Sequence, residues 1–243
     1  MKKMKLPRTI SPCPIKEAVA EIRFQSKVPD EAVFGIAYQA LAPEFQNPEA
    51  FPVTILPTEI RNQQNLQFQA HYKLSSATRT ALIGPKMIAV GLLGEYPGWP
   101  KLSADFKTIL LKFHKAGIVA ETFRFGLRYI NFFEFDIYPK LLLKVTKNGT
   151  SLDGTETFIK TVLTKDNYST QLQIGQGMAL VAKPEAAGSV IDIDVSTTKV
   201  SGSFTDDLEV FLDKAHEIEG RMFFDLLKPE FLQTLNPIYD NEK

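Results

Sequence analysis

A single cysteine, Cys13, stands in a chain of 243 residues. No internal disulfide can form from one thiol, and no paired thiolates exist to hold a structural zinc. Histidine is nearly as scarce: His71, His114 and His216 show neither His-x-His nor His-Glu-x-x-His spacing, so no metal site is expected. No Gly-x-Ser-x-Gly elbow presents a nucleophile. Gly175-Gln-Gly177 and Gly91-Leu-Leu-Gly94 lack the Lys-Ser/Thr ending and strand–turn–helix setting of a phosphate loop, which disfavours a P-loop or Rossmann enzyme. Lys+Arg and Asp+Glu both number 28, so no net field draws the chain to nucleic acid or anionic lipid. No apolar run approaches the roughly 18–20 residues that span a bilayer; residues 137–145 are broken by Pro139, Lys140 and Lys144. The basic start is not followed by the apolar core of a secretory leader, and with the lone cysteine this predicts a cytoplasmic protein. Asn148-Gly-Thr150 reads as a turn rather than a glycosylation site.

What the chain has is aromatic side chains: 18 Phe, 7 Tyr and 1 Trp. They concentrate in a segment of period two. Val119, Phe123, Phe125, Leu127, Tyr129, Phe133 and Phe135 fall on odd positions, Arg124, Gly126 and Arg128 on even ones. That predicts a long strand with one buried aromatic face and one arginine-bearing face.

Further strands are expected at 18–24, 66–74, 80–83, 87–93, 157–163, 169–174 and 190–195. The segment 51–57, bounded by prolines, reads as extended. Helices are expected from Glu31 to Leu41 with Asp30 as cap, after Ser103 with Phe106, Ile109, Leu110 and Phe113 on one face, and after Thr205 with Leu208, Phe211, Leu212, Ala215, Met222 and Leu226 on one face. Residues 230–235 form a last short helix. The fold class is α+β, a large antiparallel sheet with helices packed on one face. It is read as one domain over 1–243, with internal halves 15–145 and 151–236 meeting near Thr146–Gly154.

A shift of 102 carries Ser103 to Thr205, Phe106 to Leu208, Leu110 to Leu212 and His114 to His216, and residues 87–93 to 189–195. A duplicated strand–strand–strand–helix unit with pseudo-twofold symmetry predicts this. The alternative is that any capped amphipathic helix following a strand aligns as well.

Candidate chemistry rests on charged strand residues. Glu21 and Arg23 share a face of the first strand, Arg124 and Arg128 one of the long strand, Asp192 and Asp194 one of a late strand. Lining one concavity, the arginines would grip phosphate or carboxylate and the acids would hold Mg²⁺; lining a solvated face, they pair across strands. Triphosphate-tunnel enzymes alternate acids and bases on the first strand, but here Val19 stands where a second acid is needed. Tyr96 and Trp99, on a Pro/Gly loop, are candidate anchors for a partner or fold back on the core.

Three blocks in order, Pro14-Ile-Lys-Glu-Ala-Val-Ala-Glu-Ile-Arg-Phe24, Phe125-Gly-Leu-Arg-Tyr-Ile-Asn131 and Ala215-His-Glu217 followed by Phe224-Asp-Leu-Leu-Lys-Pro-Glu-Phe-Leu232, resemble the landmarks of a family of uncharacterised bacterial proteins. That family is similar in length and scattered sporadically among unrelated bacteria. The resemblance implies horizontally moved genes and a defence-like context, and carries no activity. It directs attention to Arg128, Tyr129 and Asn131.

The expected function is therefore a non-enzymatic binding or interaction module of the bacterial cytosol, with a protein partner or self-association and no cofactor. The alternative is a phosphate-ester or nucleotide-processing enzyme using Arg124, Arg128, Asp192 and Asp194, for which alone Mg²⁺ is implied.

Overall fold

The computed structural model describes residues 6–64, 66–151, 157–180, 183–200 and 203–239. In chain order the elements are β1 (Ile15–Ser26), α1 (Asp30–Leu41), β2 (Gln46–Ala50), α2 (Thr58–Arg61), β3 (Tyr72–Ser75), β4 (Arg79–Gly84), β5 (Met87–Leu92), α3 (Trp99–Lys115), β6 (Val119–Phe133), the short pair β7 (Thr146–Lys147) and β8 (Thr150–Ser151), β9 (Phe158–Lys165), β10 (Tyr168–Leu180), β11 (Lys183–Thr197), α4 (Phe204–Leu226) and α5 (Pro229–Thr234). Nine strands form one antiparallel sheet in the order β2-β3-β4-β5-β1-β6-β11-β10-β9. The fold is α+β, as the patterns predict. β1 and β6 pair with each other near the middle; beyond β6 lie the three strands β11, β10 and β9, and beyond β1 the four strands β5, β4, β3 and β2.

Alternation along β1 and β6 decides which side becomes the core. Ala18, Ala20, Ile22 and Phe24 of β1 and Phe125, Leu127 and Tyr129 of β6 are buried against the helices. Phe24 meets Phe113 of α3 with ring centres 5.4 Å apart, and Phe125 meets Phe211 of α4 at 5.6 Å. The helices lie side by side and antiparallel: Trp99, at the start of α3, stacks on His216 of α4, while His114, near the end of α3, stacks on Phe204 at the start of α4. The other sheet face is open over β6, β11 and β10. Over β1 and β4 it is overlain by Phe68, against Arg23, and by the Gln69 carbonyl, against Gly84.

Several expectations are corrected. Phe123 and Phe135 are exposed, at 42% and 46%. Pairing slips between Arg23 and Phe24, which sit opposite Arg124 and Thr122, so Phe123 is the extra residue of a bulge and leaves the core face. The proline-bounded 51–57 segment holds a 3₁₀ turn, Pro52–Ile55, because Pro at the start of a helical turn sacrifices no hydrogen bond. Residues 66–71 are not a strand; β3 begins at Tyr72. Neither Ser103 nor Thr205 caps its helix, nor does Asp30. Gly98 precedes α3, Ser203 precedes α4 and Pro29 precedes α1, each without a side-chain cap bond. Residues 152–154 of the expected boundary lie outside the described residues.

Candidate functional site

The two arginines of β6 lie on the open face, and the acids of β11 meet them there. Pairing sets Asp194 opposite Arg128 and Asp192 opposite Ile130. Each guanidinium therefore reaches diagonally to its carboxylate. Arg128 Nε donates to Asp192 Oδ1 at 2.8 Å and Nη2 to Oδ2 at 2.7 Å, the parallel fork that suits a carboxylate. Arg124 Nη2 donates to both Asp194 oxygens, at 2.8 and 3.1 Å, and its Nη1 donates to Glu21 of β1. Glu21 also accepts from Arg23 Nε at 2.7 Å, and Asp192 from Gln173 Nε2 of β10 at 2.9 Å. Gly126 makes the lattice possible: a Cβ there would stand 2.6 Å from Arg124 Nη1.

The result is a ladder of three arginines and three carboxylates across β1, β6 and β11. The hydrogen-bonded Asp192 holds the Arg128 guanidinium above its ordinary range. Burial raises the Asp194 carboxyl, although Arg124 pulls the other way. Every carboxylate that would hold Mg²⁺ already has an arginine, and no group of three or more metal-ligating side chains occurs among the described residues. Arg128, with a side chain 46% exposed, is the member most open to a ligand.

Tyr129 and Asn131 do not join this set. They have the opposite parity on β6 and are buried on the helix face, where Asn131 Nδ2 donates to the Ile191 carbonyl at 3.2 Å. Tyr96 and Trp99 go with Tyr129. The Tyr96 and Tyr129 rings meet edge to face at 6.0 Å and their hydroxyls share a hydrogen bond. Tyr129 OH lies 3.3 Å from His216 Nδ1. Trp99, which belongs to α3 rather than to a loop, stacks on His216 at 4.1 Å and donates Nε1–H to Asp213 at 3.3 Å.

A residue missed in the sequence completes this second cluster. Glu219 of α4 is 5% exposed, and its charge bears on Cys13 and on the two tyrosines. Burial alone pushes its carboxyl up to about 8; no hydrogen bond or cation offsets it. Burial likewise draws the His216 imidazole down to about 4, against a smaller opposing pull from Asp213. Both groups are thus held neutral. The signal that marks Glu219 is its spacing: it stands four residues after Ala215 and three before Met222, inside the apolar stripe of α4. His114 and His216 sit at opposite ends of the helix pair and do not meet. No family model matches the chain, and no curated protein matches it.

Proposed function

We propose that the chain is a non-enzymatic binding module that takes up an extended segment of a partner protein along the outer edge of β9. The edge itself carries this reading. β9 runs eight residues without proline and exposes Phe158, Val162 and Leu163, each more than half accessible. An apolar edge strand of that length is a template for a further strand. The opposite edge is blunted: β2 has five residues, Pro48, a left-handed Asn47 and no large apolar side chain. β9 also carries Lys160 and Lys165 and no acid. The complementary segment therefore alternates, with apolar residues opposite Phe158 and Val162 and an acid opposite Lys160 between them.

The neutralised ladder supports binding over turnover. Phosphate-ester chemistry through Arg124, Arg128, Asp192 and Asp194 would first have to break the pairs those side chains make with one another. Fluorescence anisotropy with a labelled peptide repeating Val-Thr-Glu-Thr, which sets Val and Glu in turn on one face, tests the proposal, with hydrogen exchange reading the site. Binding that protects β9 amides and is lost in Val162→Lys is expected. Protection elsewhere, or no binding, overturns it. Sedimentation showing a concentration-dependent dimer would assign the edge to a second copy instead.

The strand order about β1 and β6 also supports an ancestral duplication of a βββα unit, in line with the shift of 102.

A further inference from the structure

A pocket of about 100 Å³ opens where the β9–β10 turn, the end of β11 and the first turns of α4 meet. Its apolar lining is largely aromatic. Phe125 and Phe211 are buried with ring centres 5.6 Å apart, and Tyr168 lies 6.3 Å from Phe211. Val210 lines it as well and is exposed. Among the polar lining residues are one cation, Lys199, and one anion, Asp207. The walls are fixed from outside. Asn167 Nδ2 donates to the Lys199 carbonyl at 2.8 Å, Thr198 N–H to the Asn167 carbonyl at 3.0 Å, and Thr198 Oγ1 to Asn167 Oδ1 at 2.9 Å. Phe125 N–H donates to Thr197 Oγ1 at 3.0 Å. A pocket held this way is formed before a ligand arrives, so little order has to be created on binding.

Size and chemistry select the occupant. A closed apolar cavity of roughly 150 Å³ accepts a benzene ring, so this smaller pocket, open on one side, takes one side chain of leucine or phenylalanine size. The aromatic lining favours phenylalanine, through offset or edge contacts between rings. An ammonium donates hydrogen bonds and a carboxylate accepts them. The carbonyl and N–H of a peptide group offer the two complementary partners, whereas a charged ligand of either sign meets one like charge here. The occupant is therefore an uncharged residue within a peptide chain.

The pocket lies within reach of the β9 edge. Tyr168 pairs with Lys165, the last residue of β9, and Leu163, two residues earlier on the same side of the sheet, is exposed. Neighbouring strands lie about 4.8 Å apart. A strand added outside β9 therefore runs roughly 10 Å from β10, a distance that about three residues span. On the edge-strand reading proposed above, on which this rests, we infer that the partner carries a phenylalanine just beyond its β9-paired stretch, and that this ring docks between Tyr168 and Val210. The strand pairing sets the direction of the segment, and the ring anchors its end beside Lys165.

N-acetyl-phenylalaninamide probes the pocket by itself. In amide NMR spectra of the intact chain it is expected to shift Tyr168, Thr197 and Phe211, while N-acetyl-glycinamide does not. Val210→Glu, at an exposed helical position, should remove that response without disturbing the fold. The Val-Thr-Glu-Thr peptide, extended by Gly-Ser-Phe at one end or the other, tests the link to β9. One of the two extended peptides should bind about tenfold more tightly than the parent, and Val210→Glu should return it to the parent affinity. A probe that shifts other residues, or none, overturns the inference and leaves the β9 edge to be judged by the parent peptide. Equal affinity of the parent and both extended peptides overturns it too. A parent peptide that fails to bind removes the edge reading, and with it the shared partner, even where the probe still shifts Tyr168.

Discussion

Lys107 of α3 donates to Glu209 of α4 at 2.8 Å, and the two residues stand 102 positions apart, the same shift that carries Ser103 onto Thr205. The two antiparallel helices thus touch at positions separated by that shift. His114 on Phe204 and His216 on Trp99 join the same two helices on either side, without that spacing. The contact is positional rather than energetic. Glu209 is 64% exposed on its side chain, so solvent screening leaves the pair under about 1 kcal/mol. Lys107→Ala should shift the urea midpoint only slightly, and reversing both charges should restore it.

A second ion pair between sheet and helix behaves differently. Arg79 of β4 has a side chain 5% exposed and donates to Asp105 of α3, while its Nε has no partner. Asp105→Ala strands a buried guanidinium, a change that costs about 3–5 kcal/mol. Replacing both by apolar residues, Arg79→Met with Asp105→Leu, removes the desolvation penalty along with the attraction and should leave stability near the wild type. Urea unfolding of the single and double variants distinguishes the two outcomes. Equal losses in both would mean that Arg79 matters through packing alone.

Period two and period 3.6 were enough to read β6, β11, α3 and α4, because each buries one face against a single neighbouring layer. Elements fixed by long-range contact were not legible. The bulge at Phe123 arises from how β6 pairs with β1, and nothing local distinguishes Phe123 from Phe125. Trp99-Pro100 reads as a loop until Pro100 is seen as a first-turn residue of α3. The candidate site was legible in composition but not in arrangement. Parity alone separates Arg128 from Tyr129, while the diagonal pairing of Arg128 with Asp192 depends on a register that only the sheet sets. Glu219 was hidden by its charge, though its spacing places it in the apolar stripe.

The ladder makes a contrast between its ends. Asp192 has a side chain 7% exposed and accepts from Arg128 and Gln173; Arg128 is 46% exposed. Asp192→Ala leaves two donors without an acceptor, and a loss of about 1–3 kcal/mol is expected from hydrogen bonds of this kind. Arg128→Ala leaves a buried carboxylate with only the Gln173 amide and no counter-charge, and should cost more, because the half-exposed guanidinium left by Asp192→Ala can be solvated and the carboxylate cannot. Adding Mg²⁺ and ATP should leave the melting temperature unchanged in the wild type, since the acids are already paired. A rise would return weight to the phosphate reading, because a ligand of the native state stabilises it by mass action.

The pH dependence of stability follows from Glu219 and His216 acting in opposite directions. Glu219 is raised from 4.5 to about 8 on folding. Between those values the folded chain holds a proton that the unfolded chain has lost, so stability falls as pH rises through this range. His216 is lowered from 6.5 to about 4. Between those values the unfolded chain holds the extra proton, so stability falls as pH drops. The two slopes cancel over roughly pH 4.5–6.5, giving a plateau. Above it Glu219 acts alone, and at about 1.4 kcal/mol per pH unit roughly 2 kcal/mol should be lost between pH 6.5 and 8. Urea midpoints at pH 5.5, 6.5, 8 and 9 measure this. Glu219→Gln should remove the alkaline decline and keep the acid one, whereas His216→Phe should do the reverse. A decline that survives Glu219→Gln would place its origin at another buried acid, with Asp194 the first to examine.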